Sequence, residues 1–352
     1  MGPLLPDDGP RGARLQRRAK GIGIEAAAFV LVTLLAPLLL GLAATADLAL
    51  WLVRRKPWMA VRLVAFLWWF LQGELRGVTA LGFASLRSLG RDTAARRRRV
   101  YHVRHRWAAR HIDGVRVLFG LTFEVEGLEQ AGPGPVTVLI RHASIIDNML
   151  PDTIVGRAHD LGLRFVIKRE LQMIPTIDIG GRMIPTNFVR RGSGDTAGEL
   201  VALRKLAIEL EDHEGLLIYP EGTRYTAEKL AKAQATIAER QPEIAPLANG
   251  LHHILPPRLG GPLALLEAAR GVDVVVFGHM GLDGFEYISD IWAGGLVGTT
   301  VRMKFWRYPA AEVPTDRDEL TRWLYGVWQT LDDWVGEQRA ELGAPRAAKA
   351  WV

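Results

Sequence analysis

An uncharged segment at residues 26–46 is the feature that most constrains the fold of this chain. It reads AAAFVLVTLLAPLLLGLAATA, has 21 residues, and lies between Glu25 and Asp47. A helix of that length would be about 32 Å long, which is close to the thickness of the hydrocarbon core of a bilayer. The sequence therefore predicts a hydrophobic helical membrane anchor near the N-terminus.

A second apolar segment follows at residues 58–71, WMAVRLVAFLWWFL, and contains Arg62. It is too short to cross a bilayer comfortably, and a full hairpin would carry the basic turn at residues 54–56 across the membrane, against the positive-inside rule. We therefore favour two helices that dip into one leaflet from the same side. A single span by residues 26–46 and a cleaved signal peptide that ends near Ala46 are the alternatives.

The basic residues of the chain have two possible kinds of partner. The formal net charge is +6, and residues 96–111 read RRRRVYHVRHRWAARH. Arginines among aromatics are compatible with nucleic acid, but no zinc-finger or RNP motif accompanies them. Because the stretch directly follows the apolar segments, it predicts a surface for anionic lipid headgroups and no nucleic-acid partner.

Composition limits the remaining classes. The chain has 352 residues, of which 49% are hydrophobic, and no cysteine. A sizeable core is therefore available, and a disulfide framework, a thiolate nucleophile and a cysteine zinc site are excluded.

From about residue 112, short apolar runs alternate with helical patterns, which predicts an α/β fold with a mixed, mostly parallel sheet flanked by helices. The predicted strands are residues 121–125, 136–140, 164–167, 183–189, 215–219, 272–278 and 300–306. The predicted helices are residues 145–158, 195–213, 225–240, 261–270 and 316–340. The last helix carries an apolar stripe, and Thr315 with Asp318 would cap its start. The stripe consists of Leu320, Leu324, Val327, Leu331 and Val335.

These patterns predict four parts. They are a basic tail at residues 1–22, a membrane-embedded helical hairpin at 23–95, an α/β domain at 96–340, and a C-terminal tail at 341–352.

The motif RHASIID at residues 141–147 places His142 and Asp147 directly after the predicted strand 136–140. Five helical positions are about 140° apart, so the two side chains would meet only if His142 lies on a turn before a helix and Asp147 in its first turn. Asp147 would then fix the imidazole tautomer and leave the other ring nitrogen free as a base. No G-x-S-x-G motif supplies a nucleophile, so the activated hydroxyl would belong to the substrate. The alternative is an exposed helix start with an incidental histidine.

A second motif, Glu221-Gly222-Thr223-Arg224, follows the apolar run LLIYP. A glycine beside a hydroxyl and a guanidinium at a strand end suits an anion, and a phosphate is the anion that we expect. A turn with a surface Glu–Arg pair is the alternative.

Together, in this order, the motifs resemble the membrane-bound PlsC-type glycerolipid and lysophospholipid acyltransferases, over roughly residues 100–335. RHASIID resembles the H-x4-D block of that family and YPEGTR its E-G-T-R block, while residues 167–191 and 254–261 resemble the second and fourth blocks. The segments that follow YPEGTR resemble the branch with lysocardiolipin and lysophosphatidylinositol acyltransferases. Thr186, Asn187 and Arg141 depart from the family pattern.

The resemblance implies transfer of an acyl chain from a thioester to the glycerol hydroxyl of a lysophospholipid. His142 would be the base and Asp147 would orient it. The substrate-binding residues would be Glu221, Gly222, Thr223, Arg224, Arg191 and Lys168, with Pro257 and Arg258 from the fourth block. No cofactor and no metal are expected, because acyl-CoA or acyl-carrier protein serves as the co-substrate. The partners would be a bilayer, the lysophospholipid and the acyl donor, with the active domain on the cytoplasmic face.

Lysophosphatidate, acylated to phosphatidate, is the acceptor that the resemblance favours. A remodelling enzyme for a lysocardiolipin-like or inositol-bearing lipid, a thioester hydrolase, and a catalytically silent lipid-binding protein are the alternatives. The other histidines that lack a partner at useful spacing are predicted to be structural or surface residues. They are His159, His213, His252, His253 and His279.

Overall fold

The computed structural model describes residues 9–189, 196–285 and 288–342. Its contacts divide the chain into two compact units. Unit 1 comprises Met1–Leu121, Met149–Gly194 and Leu296–Gly298. Unit 2 comprises Thr122–Asn148, Asp195–Gly295 and Thr299–Val352. The four-part division that the sequence suggests stays a prediction.

Unit 1 is mainly helical. Its helices are α1 (Arg11–Leu34), α2 (Ala36–Arg54), α3 (Ala60–Arg87), α4 (Ala94–Phe119), α5 (Arg157–His159) and α6 (Pro175–Met183), with a π-helical turn at Pro151–Gly156 and a 3-10 turn at Arg169–Met173. Two of the seven strands, β3 (Gly162–Lys168) and β4 (Thr186–Val189), pair in parallel within this unit.

The uncharged segment 26–46 is divided between α1 and α2. Leu35 joins the two helices, and Pro37 lies in the first turn of α2. Proline is tolerated there because its missing N–H is one that a helix start leaves unpaired. Within the described residues, one helix, Ala36–Arg54, is long and apolar enough to cross a membrane. The uninterrupted span at 26–46 is therefore wrong in its limits.

Most of the second apolar segment, residues 58–71, forms the first part of a longer helix. This helix, α3, continues to Arg87. The buried carboxylate of Asp47 in α2 accepts hydrogen bonds from the backbone N–H groups of Met59, Ala60 and Val61, at 2.9 to 3.1 Å. The N–H groups at the start of a helix have no carbonyl partner inside that helix, so Asp47 satisfies groups of α3 that would otherwise be unpaired. Asp47 thus ties α2 to the start of α3, while the membrane-embedded hairpin at residues 23–95 stays a prediction.

The basic stretch at 96–111 forms most of α4, and several of its cations are paired inside unit 1. Arg98 and His102 contact Asp160 at 2.7 and 2.6 Å, and Arg104 contacts Asp152 at 2.8 Å. Residues of α3, α4 and α6 also form an apolar cluster. The cluster contains Leu81, Ala84, Val100, Tyr101, Val103, Met183 and Ile184. Part of the positive charge that predicted a lipid surface therefore holds this unit together.

Two local predictions along the chain are corrected. The strand expected at residues 183–189 begins only at Thr186, because Pro175 starts α6 and that helix continues to Met183. The helix expected at residues 145–158 consists of a 3-10 turn at Asp147–Met149, the π-helical turn, and α5.

The described residues of unit 2 form five strands in the order β1-β7-β6-β2-β5. They are β1 (Thr122–Glu126), β2 (Val136–Ile140), β5 (Glu214–Ile218), β6 (Asp273–Met280) and β7 (Thr300–Tyr308). Only β6 and β7 are antiparallel; the other neighbours are parallel. The helices are α7 (Thr196–Leu206), α8 (Ala227–Arg240), α9 (Ala245–Asn249), α10 (Gly260–Ala268), α11 (Ile288–Trp292) and α12 (Arg317–Leu342), with 3-10 turns at Leu128–Ala131 and Ala310–Glu312. The mixed, mostly parallel sheet flanked by helices is confirmed.

The long helix α12 follows its predicted pattern, and the whole predicted stripe from Leu320 to Val335 is buried. Its cap differs from the prediction. Oδ1 of Asp316 accepts from the N–H groups of Asp318 and Glu319 at 3.0 and 2.9 Å. Because a capping side chain bonds the second and third N–H groups of a helix, Asp316 is the N-cap in place of Thr315.

Candidate active site

The two motifs leave the sheet of unit 2 at the same edge. Strands β2 and β5 are parallel neighbours with Leu139 opposite Ile218, so the residues that follow each strand emerge side by side. The carboxyl ends of parallel strands are where α/β folds bind ligands. Every residue of β2 and β5 is buried, which fixes the position of the loops that follow.

The H-x4-D motif closes a tight loop. Nδ1 of His142 lies 3.0 Å from Oδ1 of Asp147. Oδ2 of the same carboxylate accepts from the N–H groups of Ala143 and Ser144, at 2.7 and 2.8 Å. As predicted, His142 lies on the turn and Asp147 starts a helical turn, here of 3-10 type. The carboxylate therefore binds the loop and the ring at once.

The protonation of this pair follows from its contacts. Burial alone would raise the pKa of Asp147, but the neighbouring imidazoles of His142 and His279 and the hydrogen bonds from His142 and Ser144 hold that pKa below its usual range. The group is thus a carboxylate, which only accepts hydrogen bonds, so Nδ1 of His142 carries the proton. Among the residues that the structure describes, Nε2 of His142 has no hydrogen-bond partner. Nε2 is therefore the ring nitrogen left available to accept a proton.

Glu221 connects three segments of the site. Its Oε1 accepts from the N–H of His142 at 2.8 Å, and its Oε2 accepts from the N–H of Leu255 at 3.1 Å. The residue is 1% exposed, and burial raises its pKa to about 8. The carboxyl group holds the backbone of His142 against the fourth block, while direct contact of Glu221 with a substrate stays a prediction.

The rest of the E-G-T-R motif forms a turn whose Gly222 lies against the side chain of Arg258. Gly222 has a φ of +64°, and the N–H of Arg258 donates to the carbonyl of Pro220 at 2.8 Å. Thr223 and Arg224 are half-buried, Pro257 is buried, and Arg258 is exposed. Within the described residues, the guanidinium of Arg258 makes no hydrogen bond or ion pair. The structure thus brings six of the eight predicted substrate-binding residues together, with an available cation among them.

Arg141, which departs from the family pattern, is fully buried beside the base. Its guanidinium forms a bidentate ion pair with Asp283 and donates to the carbonyl of His279 at 2.8 Å. Burial alone would raise the pKa of Asp283, but the charge of Arg141 lowers it strongly. Arg339 of α12 also donates to Asp283, at 3.1 Å. The residue before the base is therefore fixed by a buried charge cluster.

His279 is a neighbour of the site that the sequence interpretation missed. It is fully buried, with its Nε2 3.5 Å from Oδ2 of Asp147. No motif spacing indicates this contact, because it depends on β6 pairing with β2 in the register that places Ile140 opposite Phe277.

Two predicted residues cannot be assigned to this site. Lys168 is the last residue of β3 in unit 1, and Arg191 lies outside the described residues. Within the residues that the structure describes, no group of three or more His, Cys, Asp or Glu side chains could hold a metal ion. The expectation of a metal-free reaction stays a prediction.

Comparisons with known proteins agree with this geometry. Residues 122–249 match the family model described as Acyltransferase. The chain is 24% identical over 210 residues to 1-acyl-sn-glycerol-3-phosphate acyltransferase epsilon of Mus musculus, covering 56% of each protein. It is 26% identical over 209 residues to the gamma enzyme of Mus musculus, covering 58% of this chain and 54% of that protein. The chain thus spans about half the length of the curated relatives it matches.

The fold is also that of a solved relative. The crystal structure of the 1-acyl-sn-glycerophosphate (LPA) acyltransferase PlsC from Thermotoga maritima superposes with a TM-score of 0.53 at 17% identity, covering 79% of this chain and 96% of that one. Residues 122–249, which match the family model, contain the H-x4-D loop and the E-G-T-R turn that form the site. Residues 122–249 are thus similar to the Acyltransferase family, and the fold is similar to that of PlsC.

Proposed function

We propose that the chain is a membrane-bound acyltransferase that moves an acyl chain from acyl-CoA to the free glycerol hydroxyl of lysophosphatidate, giving phosphatidate. One observation carries the proposal. His142 has its Nδ1 hydrogen-bonded to the buried carboxylate of Asp147 and its Nε2 without a partner in the described chain. This is the arrangement of a general base, and the nucleophile must come from the substrate.

The reaction follows from that arrangement. Nε2 of His142 takes the proton of the glycerol hydroxyl while the oxygen attacks the thioester carbonyl. The carboxylate of Asp147 stabilises the imidazolium that forms. When the tetrahedral intermediate collapses, the carbon–sulfur bond breaks, and the leaving thiolate takes the proton from Nε2. One ester is formed, one thioester is consumed, and coenzyme A leaves as the free thiol.

The acceptor is proposed from the anion-binding features and from the relatives. Arg258 offers an unpaired guanidinium beside the Gly222 turn, and Arg224 is in the same motif. A guanidinium binds a phosphate with two parallel hydrogen bonds. The names of the curated relatives and of the Thermotoga maritima enzyme specify 1-acyl-glycerol-3-phosphate as acceptor, which supports lysophosphatidate over larger headgroups.

Membrane binding is proposed from the surface of α2. Leucines along this helix are exposed, among them Leu38 at 59%, Leu42 at 61% and Leu52 at 61%. Large apolar side chains in this number on one helix mark a membrane or protein contact. An acceptor with one acyl chain resides in a leaflet, so an anchor would hold the base where the hydroxyl is. The cytoplasmic face is proposed because basic residues flank the apolar segments.

The membrane proposal has a direct test. The double variant Leu38→Glu and Leu42→Glu should no longer sediment with liposomes or native membranes, because each glutamate would have to be buried in hydrocarbon. Leu247→Glu on α9, an exposed leucine of unit 2, is the matched control and should sediment like the wild type. Membrane binding that survives in the double variant would contradict an anchor on α2. Point variants suit this question better than deletion, because α3 packs with α4 and α6.

Activity is tested by thiol release from a labelled acyl-CoA, with membrane-embedded protein and a panel of lysophospholipids. Release that requires lysophosphatidate and is lost in His142→Ala is the expected result. Release with another acceptor in preference would identify a remodelling enzyme. Release without any acceptor would identify a hydrolase. Wild-type rates in His142→Ala would contradict the mechanism, and no release with acyl-CoA or acyl-carrier protein would leave a lipid-binding protein.

A further inference from the structure

His279 is a second histidine beside the carboxylate of Asp147. It is the seventh residue of β6, which pairs with β2, and the N–H of Arg141 donates to Phe277 two residues earlier. Nε2 of His279 lies 3.0 Å from the carbonyl oxygen of Arg141 and 3.5 Å from Oδ2 of Asp147. Asp147 therefore lies between two imidazole rings, with His142 at Oδ1 and His279 near Oδ2.

The contacts of His279 define its protonation. Burial lowers its pKa, and the charge of Asp147 only partly opposes that effect. The ring is therefore neutral, and its one N–H lies on Nε2, because both groups facing Nε2 are acceptors. Nδ1 is buried without a hydrogen-bond partner among the described residues, as expected for a nitrogen that carries no proton and faces no donor.

A second contact holds the backbone of His279. The guanidinium of Arg141 donates to the carbonyl of His279 at 2.8 Å, while the ring of His279 donates to the carbonyl of Arg141. The two residues thus bond each other in both directions. Arg141 is itself held by Asp283. The Nε2–H edge of His279 consequently points in one direction only.

We propose that His279 is a positioning residue, which orients the carboxylate of Asp147 so that Oδ1 faces Nδ1 of His142. The proposal rests on the proposed function, because it gives His279 a role in keeping the base in its reactive tautomer. A neutral donor suits this position. Its N–H donates to the carbonyl of Arg141 and places the positive end of the N–H dipole 3.5 Å from Oδ2 of Asp147. It adds no cation that would compete with the imidazolium of His142 for the same carboxylate.

The test compares two substitutions that differ in one hydrogen-bond donor. His279→Gln retains an N–H near the position of Nε2, whereas His279→Leu fills the space without a donor. If His279→Leu fails to fold, His279→Asn replaces it, because its amide is too short to reach Asp147. His213→Leu is the matched control, since His213 precedes β5 at the other end of that strand from Glu221. Folding of each variant is verified by thermal unfolding.

The first measurement is the proton resonance of Nδ1–H in His142, which lies far downfield when the imidazole bonds a carboxylate. We expect it to move or broaden in His279→Leu and to keep its position in His279→Gln and His213→Leu. An unmoved resonance in folded His279→Leu would overturn the proposal. This readout needs no turnover, so it decides the proposal even if the proposed acyltransferase activity fails.

The second measurement is steady-state kinetics with acyl-CoA and the best acceptor. We expect kcat of His279→Leu to fall about 10- to 100-fold with KM unchanged for both substrates, because a catalytic group displaced by up to 1 Å loses rate on this scale. His279→Gln should retain most of kcat. Equal losses in the two variants would overturn the proposal, since the shape of the ring and not its donor would then matter.

Discussion

Gly222 leaves the space that the side chain of Arg258 occupies. A Cβ on Gly222 would stand 2.9 Å from Cδ and 3.1 Å from Nε of Arg258. The φ of Gly222 is +64°, in the left-handed region that favours glycine. The motif therefore requires glycine at position 222 for two reasons. Its backbone is left-handed, and a Cβ would collide with the side chain of Arg258.

Substituting Gly222 by alanine should therefore weaken acceptor binding. The new methyl group would push Arg258 away from the turn, and we expect KM for a phosphate-bearing acceptor to rise about tenfold, equivalent to ~1.4 kcal/mol. Steady-state kinetics with lysophosphatidate at fixed acyl-CoA measures this change, while KM for acyl-CoA should stay near the wild-type value.

The matched control for that variant is Gly271→Ala. Gly271 has a φ of +81°, but a Cβ there would meet nothing within 4 Å. Both variants should lose about 1–2 kcal/mol of stability from the left-handed backbone. Only Gly222→Ala should lose acceptor binding. An equal KM in the two variants would show that Arg258 does not bind the acceptor.

The site shows what a linear sequence can and cannot specify. The spacing of His142 and Asp147 restricted them to a turn followed by a helical turn, because no regular helix would bring them together. This geometry depends only on neighbouring residues, and the structure shows the predicted turn and the contact between the two side chains. His279 and Asp283 reach the same site because β6 pairs with β2. Their partners are more than a hundred residues away in the sequence, so the local sequence of either segment does not predict the contacts.

Composition and backbone chemistry explain the remaining differences in the fold. Apolar runs and alternation identified all five strands of unit 2. Strands β2, β5 and β6 are buried and read as apolar runs, whereas β7 alternates and has one face exposed. In contrast, α6 was missed since PTIDIGGRM has two glycines and a proline, which are typical of loops. Its buried Asp178 binds Arg17 and Arg18 of α1, a contact that supports the helix and that composition does not reveal.

Replacing Glu221 by glutamine should displace the base without changing the size of the side chain. Both oxygens of a carboxyl group can accept, since the hydroxyl oxygen of the protonated form retains lone pairs, whereas the NH2 of an amide only donates. One of the N–H groups of His142 and Leu255 would therefore lose its partner, at a cost of about 1–3 kcal/mol. We expect a lower unfolding free energy and a lower kcat, measured by chemical denaturation and thiol release.

Glu221 should also give the stability of the wild type a measurable pH dependence. Burial raises its pKa from 4.5 to about 8, so the folded chain retains a proton that the unfolded chain releases. This contribution to the unfolding free energy is fully present below pH 4.5 and is lost as the pH rises to about 8. The difference between wild type and Glu221→Gln should follow that trend. A difference that does not vary over this range would contradict the raised pKa.

Replacing Asp147 by asparagine should remove turnover but leave substrate binding. The amide has one acceptor, which cannot serve both Nδ1 of His142 and the N–H groups of Ala143 and Ser144. The imidazolium would also lose its counter-charge, and general-base catalysis contributes about 10²- to 10⁴-fold. We expect kcat to fall by that factor at unchanged KM. Asn148→Ala, which removes an exposed hydrogen bond to the carbonyl of Ile145, should retain wild-type kinetics.

The last prediction concerns α12, which lies outside residues 122–249 and still supports the site. The carboxylate of Asp332 accepts from three consecutive N–H groups, those of His252, His253 and Ile254, at 2.6 to 3.1 Å. The next residue of that segment, Leu255, donates to Glu221. Through this chain of contacts Asp332 holds the fourth block in position to support His142.

Asp332→Asn should consequently lower both stability and activity. Hydrogen bonds to a charged group contribute about 1.5–3 kcal/mol each at most, and the amide would replace one accepting oxygen by a donor. The control is Asp333→Asn, whose carboxylate accepts only an exposed bond from Gln329 on the same helix. We expect a lower midpoint of thermal unfolding and a lower kcat/KM for Asp332→Asn alone. Equal behaviour of the two variants would mean that the fourth block keeps its position without α12.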